Sequence, residues 1–325
     1  MKRWVIGPCI ALVSIAAFAA TAQAQPASYP TRPVKLVIAF PVGGLLDTIS
    51  RVVGEKMGAQ LGQQFIIEAR PGAGGTLATA AVAKAAPDGY TIMMINDNHA
   101  LNPSVFKNIP YDSIKDFAPI GFVGSAPLVL NANPGLGIKT VADLIRLAKE
   151  KNGALTYGSV GIGSAPHLAG EMFSTAAGIK MLHVPYRGGA PALNDLIAGH
   201  LNTMMTSAVI SKGQIEAGRL TPIAVAAKHR LDVLPNVPTM AESGYQVEAA
   251  YWFGLVAPAG TPPEVIAKLE KTLADVLAMP EVKKRLTELG AIVTPMGSKE
   301  FGAFIQSEIV KWANVIKKAG LKFEQ

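Results

Sequence analysis

The sequence predicts an α/β protein built from two units of alternating strand and helix. Three observations predict it. Short β-branched apolar runs alternate with helical-period stretches over Val34–Ile95, and the pattern restarts over Leu128–Ala226. Three glycine-rich loops, Pro41–Leu46, Arg70–Gly75 and Gly158–Gly163, follow strands at their carboxyl ends. A tail of three helices closes the chain. Such alternation implies parallel sheets with right-handed crossovers.

Val34–Phe40 reads as a buried strand because it is apolar apart from Lys35 and rich in β-branched Val and Ile. Pro41-Val42-Gly43-Gly44 breaks it. From Asp47 to Leu61, Ile49, Val52, Val53, Met57 and Leu61 recur near one helical face. Gln64–Glu68 is a second strand and Thr76–Ala85 an alanine-rich helix. Asp88-Gly89 turns into a third strand, Tyr90–Ile95.

The second unit runs strand Leu128–Asn131, helix Thr140–Lys151 with Thr140 as its cap, and strand Leu155–Tyr157. Helix Ser164–Ala177, strand Met181–Val184, helix Ala190–Ala198 and strand Asn202–Thr206 follow. Helix Val209–Ala217 and strand Pro222–Ala226 complete it. Trp252–Ala257 is the last strand. Thr261-Pro262-Pro263-Glu264 places proline in a first helical turn. The helices Pro263–Ala278, Pro280–Leu289 and Lys299–Ala319 cannot bury their faces alone, so they are expected to pack back on the first unit.

The chain has 325 residues, 16% charged, with a formal charge of +7 and one cysteine. So little charge with so much apolar surface excludes a disordered or coiled-coil protein. The first residues, Met1-Lys2-Arg3, an apolar stretch Trp4–Ala20 and Ala22-Gln23-Ala24, have the order of a secretory signal. The alternative, a membrane anchor, needs a run of about 17–25 apolar residues. Cleavage after Ala24 leaves 301 residues, a charge of +5 and no cysteine, since Lys2, Arg3 and Cys9 go with the leader. A cysteine-free chain has no disulfide and no Cys-based zinc site. The one basic run, Lys283-Lys284-Arg285, is mixed with Glu281 and Glu288, which argues against nucleic-acid binding.

The glycine loops are where chemistry is expected. In open α/β sheets ligands sit at the carboxyl edge of the strands. Helix N-termini there offer unpaired N–H groups, each worth about 0.3–2 kcal/mol to an anion. Nucleotide sites are disfavoured: Gly158, Gly161 and Gly163 reverse the G-x-G-x-x-G spacing, and Leu77 stands where Gly72-Ala73-Gly74 would need a third glycine. There is no G-x-S-x-G elbow. Ser164 and His167 form the one nucleophile–base pair, an alternative hydrolase reading without an orienting third group. The five histidines show no metal-ligand spacing. His183, on an apolar strand, reads as a satisfied core residue. Asp47 either caps its helix or orients the preceding loop from beneath.

The same loops carry a family resemblance. The landmarks are Tyr29-Pro30-x-Arg32-Pro33, Phe40-Pro41-x-Gly43-Gly44, Arg70–Gly75 and Pro87-Asp88-Gly89-Tyr90. Further along stand Pro110-Tyr111-Asp112 with Asp116–Pro119, Tyr157-Gly158-Ser159 with Pro166–Gly170, and His183–Gly188. Pro235-x-Val237-Pro238-Thr239 and Trp252-Phe253-Gly254 complete them. In this order, over about Tyr29–Leu321, the chain resembles the extracytoplasmic receptors of tripartite tricarboxylate transporters, the Bug family. The resemblance implies a type II periplasmic binding fold, a two-domain Venus flytrap with a ligand cleft between the domains. Its crossings would lie near Gly124–Leu128 and Ala226–Pro235. That gives a signal peptide over residues 1–24, one domain of 25–126 plus 232–325, and a second of 127–231.

By the same resemblance, a small organic acid is held by backbone N–H groups, small hydroxyls and waters. Phe40, Val42, Gly43, Gly44, Leu45, Leu46 and Asp47 would line one side. Gly158, Ser159, Gly161, Gly163, Ser164 and His167 would line the other. Asn98, His99, Tyr186, Arg187, Gly188 and Thr206 would border them. Two departures stand out: Leu45-Leu46 replace a hydroxyl-bearing residue before Asp47, and Thr206 stands where an Asp is frequent. Both make the cleft more apolar and favour a dicarboxylate with a hydrocarbon or aromatic body. The resemblance further implies a monomeric periplasmic receptor without cofactor or catalysis, delivering to the membrane subunits of a transporter. The alternative partner is a signalling receptor, which the same sequence could serve.

Overall fold

The computed structural model describes residues 29–323 together with Met1. The rest of the predicted leader, including Cys9 and the Ala24 cleavage point, lies outside the described residues. In the first half, β1 (Val34–Ile38), α1 (Leu45–Leu61), β2 (Phe65–Ala69), α2 (Thr76–Ala83) and β3 (Thr91–Asn96) alternate as expected. β1 lies between β2 and β3, and both pairings are parallel. α1 starts two residues earlier than the sequence predicts, because Gly44 is extended and ends the loop directly before Leu45. A helix that the sequence pattern does not announce, α3 (Asn98–Val105), follows β3. Pro103 inside it hides it, since proline removes a helical hydrogen bond.

The largest departure is β4 (Phe117–Ala132), of which the sequence predicts only Leu128–Asn131. Its Gly and Pro residues mask a sixteen-residue strand. The register shifts between Pro119 and Gly121 and between Phe122 and Gly124 absorb them. The second half continues with α4 (Val141–Glu150), β5 (Thr156–Ser159), α5 (Ala165–Ala177) and β6 (Leu182–Pro185). Next come α6 (Gly189–Ala198), β7 (Thr203–Ser207), α7 (Ala208–Glu216) and β8 (Thr221–Val225). β5 sits between β6 and β7 in parallel. Gly158 and Ser159 belong to β5 rather than to the loop after it.

β9 (Ala250–Pro258) then returns to the first half. It lies antiparallel to both β3 and β4, and β4 is antiparallel to β7 and β8. The sheet is therefore mixed, with strand order β2-β1-β3-β9-β4-β7-β5-β6. Parallel pairing survives only where a helix crosses over. A strand passing between the halves and one coming back must run in opposite directions, which is why β4 and β9 break the rule.

The chain ends with α8 (Pro263–Ala278), α9 (Pro280–Glu288), the two-residue β10 (Met296–Gly297) and α10 (Ser298–Lys318). As expected, these helices pack back: α8 rests on α1 and β4, and α10 on α3 and β4. Trp252 of β9, Phe122 of β4 and Phe301 and Phe304 of α10 form one aromatic cluster, with centroids 5.0–6.4 Å apart. Gly254 lets Phe301 lie directly on β9. Each fully buried ring contributes on the order of 2–3 kcal/mol.

Candidate functional site

Six helices start where parallel strands end, α1, α2, α3, α5, α6 and α7, and none of them has a side-chain cap hydrogen bond. Four of them, α1 after β1, α5 after β5, α6 after β6 and α7 after β7, follow the loops of interest. Their N-caps, Gly44, Ser164, Gly188 and Ser207, make no side-chain cap hydrogen bond. The contrast is α4, where Thr140 and Asp143 form a complete capping box, as the sequence predicts for Thr140. The first N–H groups of α1 and α5 are thus left open for an acceptor that the chain itself does not supply.

The loop before α1 is shaped by its own helix. Gly43 takes a left-handed φ of +85°, and its N–H donates to Asp47 Oδ2 at 2.8 Å. Arg51, one turn on, donates to the same oxygen at 3.1 Å. These hydrogen bonds, Arg51 first, hold the Asp47 carboxyl below its ordinary value against burial. Asp47 is 4% exposed, so it orients the loop from beneath with its carboxylate turned inward. Leu46 is buried and Leu45 half-buried, while Val42 is 64% exposed at the tip.

The loop before α5 is held just as closely. Ser159 is fully buried, and its hydroxyl lies 2.7 Å from His183 Nε2 and 2.9 Å from Gly161 O. Ser164 Oγ donates to Gly161 O at 2.6 Å. The Gly163 N–H donates to His167 Nδ1 at 3.0 Å. His167 stacks on His183 with centroids 3.8 Å apart. The Tyr157 ring lies nearly parallel to both, 5.0 Å from His183 and 6.4 Å from His167. Tyr157 in turn donates to Glu171. Burial, and then the neighbouring His183, lowers His167 to about 3; burial lowers His183 to about 4. Both rings are neutral at pH 7. The hydrolase alternative fails on this geometry: Ser164 and His167 each have another partner.

A continuous chain of contacts joins the two loops. Phe40 reaches Gly75, where a Cβ would lie 3.8 Å from Phe40 Cε2. Asn98 and Asn102 of α3 donate to Gly74 O at 3.2 and 3.1 Å. At the end of α3, Val105 meets Gly163: a Cβ there would lie 2.6 Å from Val105 Cγ1. Gly163 can approach so closely because it has no Cβ and a φ of +76°. The close approach therefore links α3, in the first half, to the α5 loop in the second.

The predicted residues divide accordingly. Val42, Gly43 and Gly44 are exposed, while Gly161, Ser164, Tyr186 and Gly188 are part-exposed. Tyr186 donates to Asp195 at 2.8 Å, and burial with that carboxylate raises its hydroxyl to about 12. Arg187 is exposed and Asn98 half-buried. Gly158 lies inside β5, packed on Leu201. Thr206 is 4% exposed and pairs with Val129 across β4 and β7. His99 departs most from a cleft border. It is 2% exposed, bonds Ser113 O at 2.8 Å, and packs edge-on to Phe117 at 4.9 Å. Sequence reasoning misses Asn102 and Val105, since nothing but the apolar pair Ala100-Leu101 signals a helix there. It also misses the part of His183, which is half-buried and bonded to the loop rather than sealed in the core.

Among the described residues no group of three or more His, Cys, Asp or Glu could hold a metal ion, and no helix is long and apolar enough to cross a membrane. Comparison with known proteins gives one answer. The family model described as "Tripartite tricarboxylate transporter family receptor" matches residues 49–321. Protein BugT of Bordetella pertussis is 34% identical over 98% of this chain and 98% of its own. A structure of the R. palustris protein Rpa4515 with adipate superposes with a TM-score of 0.81 at 36% identity, covering 90% of this chain and 98% of that one. MatC of Rhodopseudomonas palustris with bound malate gives 0.76 at 31%, covering 89% and 100%. The periplasmic binding protein BugD gives 0.79 at 36%, covering 91% and 100%. The family and these structural neighbours are solute-binding receptors rather than enzymes, and with its mixed sheet, its uncapped loops and these matches the chain belongs to the tripartite tricarboxylate transporter receptor family.

Proposed function

We propose that the protein captures a small dicarboxylate with an apolar body between two lobes in the periplasm and passes it to the membrane subunits of a tripartite transporter. The observation that carries this is the pair of uncapped helix N-termini, α1 and α5, on one continuous contact path. A carboxylate supplies the acceptor these first turns lack, and the dipoles favour its charge. Residues 25–126 with 232–325 form one lobe, 127–231 the other, and export follows cleavage after Ala24. Adipate and malate in the R. palustris relatives support a carboxylate.

The apolar body follows from the half-buried Leu45 and from the exposed Val42 and Ile162 on the two loops; Ile162 is 49% exposed, whereas Leu46 and Thr206 are buried and do not face a ligand. Two carboxyl groups meet the two helix ends, and hydrocarbon lies between them. A thermal-shift panel tests this. Ligand at one hundred times its Kd adds about 2.7 kcal/mol of stability, or roughly 4 °C for a chain of this size. Adipate or terephthalate should produce such a rise. Stabilisation by citrate or aspartate but by neither of these would overturn the apolar-body reading.

A further inference from the structure

We propose that His167 is a positioning residue for carboxylate capture: its bare Nδ1 pins the Gly163 amide, and so fixes the α5 loop in the shape that faces α3. The proposal rests on the carboxylate site proposed above.

Three observations carry it. First, the bond has one possible polarity. A backbone N–H can only donate, so His167 Nδ1 must accept, and its proton sits on Nε2. Second, the ring cannot swing away. It is 4% exposed, stacked on His183 at 3.8 Å and flanked edge-on by Phe323 at 6.1 Å. Third, the pinned residue is the contact point. Gly163 is where the loop meets Val105, and its left-handed backbone is a conformation that local sequence alone would not hold.

His183 secures the other end of the same loop through Ser159, whose hydroxyl also meets Gly161 N and O. Two stacked imidazoles therefore hold the loop at Ser159 and at Gly163. Between these anchors Ile162 stays half exposed. The Gly163 N–H is consumed by this work, so the ligand must use other donors of the loop and of the first turn of α5. This reassigns Gly163 and His167 from contact to support.

The test compares two substitutions. An asparagine side chain is too short to stack but keeps an acceptor near the Nδ1 position, so His167→Asn preserves the pin. His167→Phe keeps a buried ring and removes the acceptor. Amide hydrogen exchange of the ligand-free protein reads the pin directly, and adipate titration calorimetry reads its consequence. Exchange over Gly161–Ser164 should accelerate about tenfold or more in His167→Phe, with adipate affinity falling about tenfold, as for loss of one buried hydrogen bond. His167→Asn should restore most of both. Equal exchange in the two variants and the wild type would overturn the pin. If the wild type binds no adipate, the ligand reading fails, yet the exchange result still decides the pin.

Discussion

Gly163→Ala should weaken adipate binding by about 5–150-fold, as expected for about 1–3 kcal/mol of overpacking against one side chain. Two costs have to be separated. The φ of +76° disfavours any Cβ by about 1–2 kcal/mol, and that cost falls on every folded state. It lowers the unfolding midpoint but leaves affinity alone. The contact with Val105, where a Cβ would lie 2.6 Å from Cγ1, exists only when the loop rests against α3. On the proposed two-lobe capture it falls on the closed arrangement, and a ligand that bridges the halves would lose that difference in full. Val105→Ala in the same chain should return most of the affinity, with a coupling of about 0.5–3 kcal/mol in the double-mutant cycle. Wild-type affinity in Gly163→Ala, or a double variant no better than the single, would show that closure does not run through this contact.

Acid should destabilise the protein strongly between pH 6.5 and 4. His99 and His183 are lowered to about 4 and His167 to about 3, chiefly by burial. Their folded values lie below the ordinary 6.5, so the unfolded chain binds more protons in this window. Their stabilisation is complete above pH 6.5 and is lost as pH falls toward 4. Each group that binds one extra proton on unfolding adds a slope of about 1.4 kcal/mol per pH unit. Asp97 opposes them: burial raises its carboxyl to about 7, so its contribution grows as pH falls. Glu171 and Tyr157 are the other titratable groups next to the histidine stack. Three histidines against one carboxyl leave a net loss of several kcal/mol. Urea midpoints should fall from pH 7 to pH 4.5, and His167→Asn should flatten the slope. A midpoint that stays level or rises would contradict the neutral stack.

Sequence and structure agree where the signal is local. β1, β2, β3 and the helices between them are legible from apolar period and glycine breaks, and the Thr140 cap from its side chain. The return of the C-terminal helices follows from their lack of any partner of their own. What escapes is what tertiary contact decides. β4 reads as broken because its glycines and prolines are compensated by register shifts against β9, which lies more than a hundred residues away. α3 escapes because Pro103 contradicts it locally. At the site, the glycine loops and Asp47 are visible as types. The assignment of Asp47, Ser159, His167 and His183 to supporting work is not, since it depends on which atoms meet in the loop before α1 and across β5, β6 and α5. His99 shows the converse, a polar residue beside the right loop whose ring is drawn into the core by Ser113 and Phe117.

The supporting work has a common form. Asp47 holds Gly43, His167 holds Gly163, and His183 holds Ser159. In each case a side chain behind the loop fixes its position, and the outward face is left to N–H groups and the exposed tips Val42 and Ile162. Such preorganisation reduces the ordering cost of binding. On the proposed function, it would also let a receptor of mild charge take a doubly charged ligand without an arginine clamp.

Amide hydrogen exchange with and without saturating adipate, read peptide by peptide, tests the bridging site most directly. Protection should rise together over Phe40–Asp47, Asn98–Val105 and Gly158–His167, with α8 and α9 unchanged. Adipate binding with protection confined to one of the two loops, or lying outside all three segments, would contradict capture between the halves.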